Sequence, residues 1–141
     1  MIPMHVLKVG DIVNAAFDGG MAPGSVIQLD RELQQICVIT GDDQECWYRA
    51  EDLYPIPLNA EGLESLGFQL DGKPDPDGSV LYAKGPFSIR VYDPQTFQNL
   101  TLMYRSEANR VLHHGLAMHE LQNHYLDMTN VHLVDRADLE H

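Results

Sequence analysis

The segment Tyr54-Pro55-Ile56-Pro57-Leu58 constrains the fold of this chain more than any other stretch. Each proline lacks an amide hydrogen, fixes its own φ and drives the preceding residue out of the helical region. Neither a helix nor a central strand can run through such a segment, so the chain is divided there. The segment is also too short and too apolar to act as a flexible tether, and the two parts are expected to pack together. With 141 residues in all, the chain can bury roughly 68–70% of its unfolded surface and needs neither metal nor disulfide to fold.

The part before the prolines reads as β-structure. Val6 to Val13 is an apolar stretch interrupted by Gly10-Asp11, and Gly19-Gly20 and Pro23-Gly24 punctuate the next segment. Ser25 to Leu29 and the β-branched run Ile36 to Thr40 are strand candidates, with Cys46 to Arg49 returning as a hairpin partner. Several short strands bounded by turn residues predict a small SH3-like β-barrel over residues 1–55, a superfold that carries no function by itself. With Asp42-Asp43 as the central turn residues, Ile39 would pair with Cys46 and Cys37 with Tyr48. Cys37 and Cys46 would then be diagonal neighbours on one face, too far apart for an easy disulfide, and are expected to stay reduced in a cytoplasmic protein. A shifted register would change that geometry.

The part after the prolines, residues 58–138, reads as a three- or four-stranded antiparallel sheet with two helices. Asn59 is a good N-cap, Leu58 and Leu63 suit a hydrophobic staple, and Gly67 supplies a left-handed stop. Residues 68–104 contain three strand patterns, the clearest being Phe87, Ile89 and Val91 alternating with polar neighbours. Residues 105–116 fit strand or helix equally. Met118, Leu121, Gln122, Tyr125 and Met128 recur at helical spacing, which predicts a helix near 117–129 ended by Asn130, and Val131 to Val134 reads as a last strand. The fold class is therefore α+β, with the N-terminal barrel packed on the C-terminal sheet and helices. Leu139-Glu140-His141 reads as a tag remnant.

Three blocks, Pro55 to Leu58, Leu63 to Phe68, and Met118 to Tyr125 with Thr129, resemble a family of short proteins from Bacteroidetes genomes, often encoded near phage-like or mobile genes. That family shows a Pro-Ile-Pro-Leu-Thr linker, a Leu-x-x-x-Gly-Phe helix end and a late His-Glu-Leu-Gln-Asn-x-Tyr helix. Asn59, His124 and Asn130 depart from its pattern conservatively. The resemblance supports the fold reading, suggests a mobile-element setting and implies no activity.

The chemistry that the sequence supports is narrow. The formal net charge of −12 repels phosphate backbones and disfavours direct nucleic-acid binding. The negative charge suits solubility; the alternatives are a basic protein partner or an acidic antagonist of a nucleic-acid-binding protein, which the scattering of the acids, with no long run, speaks against. No apolar run approaches a membrane span, and Met1 to Val13 lacks the basic head and apolar core of a secretory signal. There is no phosphate-binding glycine loop, nucleophile elbow or CxxC pair. His119 and His124 are five apart, so their rings diverge by about 140° on a helix and do not form the HExxH zinc site. A metal-dependent enzyme using histidines of the 113–124 region is the enzymatic alternative, with Glu120, His124 and Asp127 sharing one helix face. No catalytic residue, metal or cofactor is expected. Asp75-Pro76-Asp77-Gly78 lacks acids at the ends of a calcium loop and reads as a turn. The leading expectation is a non-enzymatic cytoplasmic protein-binding or adaptor module. Its candidate binding residues are Trp47, Tyr48 and Tyr54 of the barrel, for an extended peptide, and His119, Gln122 and Asn123 of the late helix. The bland readings of these six are barrel closure and backbone hydrogen bonding across the helix–sheet contact.

Overall fold

A computed structural model describes residues 1–41, 43–105 and 107–134. Among these residues the fold is α+β, with two five-stranded antiparallel sheets and two α-helices. The chain forms two compact units, and each is taken in turn.

The first unit holds residues 1–56, 118–124 and 132–134. A 3-10 turn at Met4–Val6 leads into β1 (Ile12–Phe17), β2 (Gly20–Asp30), β3 (Gln35–Thr40) and β4 (Glu45–Tyr48), and a second 3-10 turn at Ala50–Asp52 leads into β5 (Leu53–Tyr54). The strands meander in the order β4-β3-β2-β1-β5. Alternation places Val13 and Ala15 of β1 in a core with Leu7, Val26, Ile36, Val38 and Leu53. A register shift between Val26 and Gln28 adds local twist to β2. Pro23 is tolerated because β2 begins to pair with β3 only at Gly24. Gly24 is required there, since a Cβ would lie 2.6 Å from the Ile39 carbonyl oxygen and from a Val38 methyl. No pairing among the described residues joins β4 to β5, so the sheet is open rather than a closed barrel. With only two residues, β5 offers little edge to close upon.

The second unit holds residues 57–117 and 125–131. Helix α1 (Ala60–Ser65) starts where the Asn59 side chain accepts a bond from the Gly62 amide at 2.8 Å. It ends at Gly67, with φ of 94°, where the Phe68 amide returns to the Leu63 carbonyl at 3.0 Å. The sheet comprises β6 (Gln69–Leu70), β7 (Val80–Lys84), β8 (Phe87–Val91), β9 (Leu100–Tyr104) and β10 (Glu107–Leu112), in the order β10-β9-β8-β7-β6. Phe87, Ile89 and Val91 are fully buried, as their alternation predicts. Phe68 and Tyr125 pack edge-on against Phe87, with ring centroids 5.9 and 4.9 Å away.

Helix α2 (Met118–Thr129) follows its predicted span, and Asn130 stops it with φ of 59°. Met118, Leu121, Gln122 and Tyr125 are buried along it.

Several expectations need correction. Among the described residues the second sheet has five strands rather than three or four, with Gln69–Leu70 and Glu107–Leu112 pairing at its two edges. Val131 to Val134 is not a strand. Leu133 is buried there instead, and the Val134 carbonyl lies where a Cβ on Gly10 would stand. The β3–β4 register is one residue from the expected one, pairing Val38 with Cys46 and Cys37 with Trp47. The two cysteines are therefore on opposite faces, Cys37 buried and Cys46 exposed, and both are free. Asp42 and residues 139–141 lie outside the described residues.

Candidate functional site

Two constellations in the first unit bring side chains of functional interest together. The first is an apolar groove of about 530 Å³ at the hairpin ends of the sheet. Phe17, Ala22 and Pro23 line it from the β1–β2 hairpin, and Thr40, Gly41, Gln44, Cys46 and Tyr48 from the β3–β4 hairpin. Strand pairing explains the composition. Cys46 and Tyr48 stand opposite Val38 and Ile36, which are fully buried, so they share the core-facing side of the sheet. They lie where that core opens to solvent. Phe17 is 53% exposed, which puts an apolar ring at the lip of the groove, while Met21, paired with Ala16, alternates onto the other face of the sheet.

Of the expected barrel aromatics, only Tyr48 lines this groove. Trp47 is exposed and alternates onto the other face, opposite Cys37. Tyr54 belongs to β5, the opposite edge of the sheet. The structure therefore does not bring Trp47, Tyr48 and Tyr54 into one patch on this sheet. Phe17, Pro23 and Cys46 were not singled out from sequence. The available signal was Phe17 and Met21 flanking Asp18-Gly19-Gly20, two large apolar residues either side of a tight turn.

The second constellation surrounds the start of helix α2. The buried Gln122 side chain donates to the Gly10 carbonyl at 2.7 Å and accepts from the Ile12 amide at 2.8 Å. It supplies the pair of bonds that a neighbouring strand would make. Asn123 donates to the Val6 carbonyl at 3.0 Å and accepts from the Lys8 ammonium at 2.8 Å. Lys8 also pairs with the Asp11 carboxylate, whose other oxygen accepts from the Lys8 amide at 3.0 Å. Asp11 is completely buried, and burial pushes its carboxyl up to about 6 despite the opposing pull of Lys8 and, more weakly, His132. His119 is buried with its Nδ1 unpartnered, and burial lowers its pKa, so the neutral ring is favoured. Gln122 and Asn123 thus hold the backbone leading into β1, which is the bland reading of these residues.

Around the enzymatic alternative, His113 and His114 are exposed, and Asp127 lies 3.8 Å from Arg110. Among the described residues no group of three His, Cys, Asp or Glu side chains is placed to hold a metal ion. No helix among them is long and apolar enough to cross a membrane. Comparison with family models, with curated proteins and with solved structures gives no match to this chain.

Proposed function

We propose that this chain is a non-enzymatic, cytoplasmic protein-binding module, in which the SH3-like first unit presents a groove to a segment of a partner protein. The groove carries the reading: about 530 Å³, lined by two aromatic rings and a proline, and continuous with the core-facing side of a rigid sheet. Rigid aromatic and apolar walls are what a protein segment needs to bury side chains without ordering the receptor. The SH3-like reading rests on a five-stranded meander whose last strand returns to pair with its first after a 3-10 turn. Two free thiols suit a reducing compartment. The resemblance to short Bacteroidetes proteins encoded near mobile genes fits an adaptor role.

The test uses Cys46, an exposed thiol on the groove wall. A photo-crosslinker attached there should yield one dominant adduct in extract of the source cells. Phe17→Ser should suppress that adduct while leaving the thermal midpoint unchanged. An adduct pattern indifferent to Phe17→Ser refutes the reading.

A further inference from the structure

We propose that the partner binds by strand addition to β4, as an extended segment in which basic and apolar side chains alternate. This inference rests on the groove being a protein-binding site and names its occupant.

The first observation concerns the edge itself. The Thr40 amide donates to the Gln44 carbonyl at 3.0 Å. Hydrogen-bonded pairs alternate along an antiparallel ladder, so Val38–Cys46 and Ile36–Tyr48 are such pairs, while Ile39–Glu45 and Cys37–Trp47 are not. The peptide groups of Glu45 and Trp47 consequently point away from β3, and no residue among those described is paired with β4 on that side. Glu45, Cys46 and Trp47 are all exposed.

The second observation is that β4 lacks the devices that usually disable an edge, such as proline, lysine, a bulge or extreme brevity. The other edges carry them. β5 and β6 have two residues each, and β5 runs straight into Pro55. β10 shifts register between Ala108 and Arg110. β4 reads Glu-Cys-Trp-Tyr, four residues whose one charge, Glu45, repels an acidic strand and attracts a basic one.

Charge then selects the occupant. Segments 17–24 and 40–48 contain Asp18, Asp42, Asp43 and Glu45 and no lysine or arginine. A second copy of this chain, at net charge −12, would bring acid against acid, whereas a basic segment is attracted. The pleat fixes the pattern. Side chains of the added strand opposite Cys46 and Tyr48 fall on the groove side and should be apolar. Those opposite Glu45 and Trp47 fall on the other face, where lysine or arginine meets a carboxylate and an indole ring.

The experiment selects a short-peptide display library on the immobilised full-length protein. Enriched sequences should alternate basic and apolar residues. A synthetic peptide of that sequence, N-methylated at the two positions facing β4, should bind at least about tenfold more weakly to the wild-type protein, because each methyl removes a backbone donor. Trp47→Pro should weaken the parent peptide by a similar factor, its thermal midpoint serving as a check on folding. Glu45→Lys should weaken binding at low salt and matter less at high salt. Enrichment of acidic or proline-rich peptides, or full binding by the N-methylated peptide, overturns strand addition. If such peptides still lose binding to Phe17→Ser, the groove reading survives. Peptides indifferent to Phe17→Ser, or a library yielding no binder, overturn both.

Discussion

Asp11 offers a direct measurement of how burial competes with ion pairing in this fold. Its carboxylate is fully buried beside Lys8, with His132 also acting on it electrostatically. Burial wins, lifting its pKa from an ordinary 3.8 to about 6. Between those two values the folded protein holds the Asp11 proton more tightly than the unfolded chain does. The stabilisation from this group is therefore complete below pH 3.8 and is lost as the pH rises through about 6. At about 1.4 kcal/mol per pH unit, that interval corresponds to about 3 kcal/mol. The amide introduced by Asp11→Asn does not titrate, yet its oxygen can still accept from the Lys8 backbone N–H. The wild-type stability minus that of Asp11→Asn should accordingly fall by about 3 kcal/mol from acid to neutral pH. Every other ionisable group is present in both proteins, so the difference between them reads the change at Asp11. Urea unfolding of both proteins across the range measures it, provided the m-values stay equal. A flat or rising difference would refute the reasoning. A flat difference would mean that Lys8 balances desolvation, and a rising one that Lys8 outweighs it and the pair is a net stabiliser at neutral pH.

Two further outcomes are expected. Gln122→Ala removes the side chain that satisfies both the Gly10 carbonyl and the Ile12 amide, and should destabilise by about 2–5 kcal/mol in urea unfolding; a change below about 0.5 kcal/mol would show that water replaces both bonds. Thiol titration of the native protein should give one fast reaction, at exposed Cys46, with Cys37 reacting only on unfolding because it is buried and burial raises its pKa. Two equally fast thiols would contradict the β3–β4 register.

Sequence reasoning succeeded where one local physical rule determines a feature without help from the rest of the chain. Asn59 caps α1 because a short polar side chain can reach an unpaired amide. Asn130 ends α2 because it tolerates a left-handed backbone. The Met118, Leu121, Tyr125 stripe gave the buried face of α2, and the β8 alternation gave its inward residues. Elements whose identity comes from neighbours were not legible. β10 reads Glu-Ala-Asn-Arg-Val-Leu and has no clean alternation, and its strand conformation comes from pairing with β9. Val131 to Val134 has the opposite problem. Its β-branched residues suit a strand, yet the chain there packs Leu133 inward and lays its backbone against Gly10.

The candidate site was missed through a single residue of register. Gly41-Asp42-Asp43-Gln44 contains enough turn-forming residues for more than one loop length, and nothing local chooses between them. The structure pairs Thr40 with Gln44 by hydrogen bonding and holds Asp43 at φ of 61°, so the loop has three residues rather than two. Side chains alternate with a period of two, so a slip of one exchanges the faces of every β4 residue relative to β3. In the expected register Cys46 faces Ile39 and Tyr48 faces Cys37; in the observed one they face Val38 and Ile36, at the mouth of the core. The outward peptide groups do not depend on this slip, because a two-residue loop closed by Gly41 and Gln44 would also turn Gln44, Cys46 and Tyr48 toward β3 and leave Glu45 and Trp47 facing away. The loop length therefore decides which β3 residues stand beside Cys46 and Tyr48, whereas the open edge follows from Gln44 closing the hairpin in either register. Deleting one of the three loop residues should leave Thr40 and Gln44 as the closing pair of a two-residue turn, so Cys46 should stay opposite Val38, remain the fast-reacting thiol and keep peptide binding intact. A shortened loop in which Cys46 loses its fast reaction, or in which peptide binding disappears while the fold is retained, would contradict this account of the register.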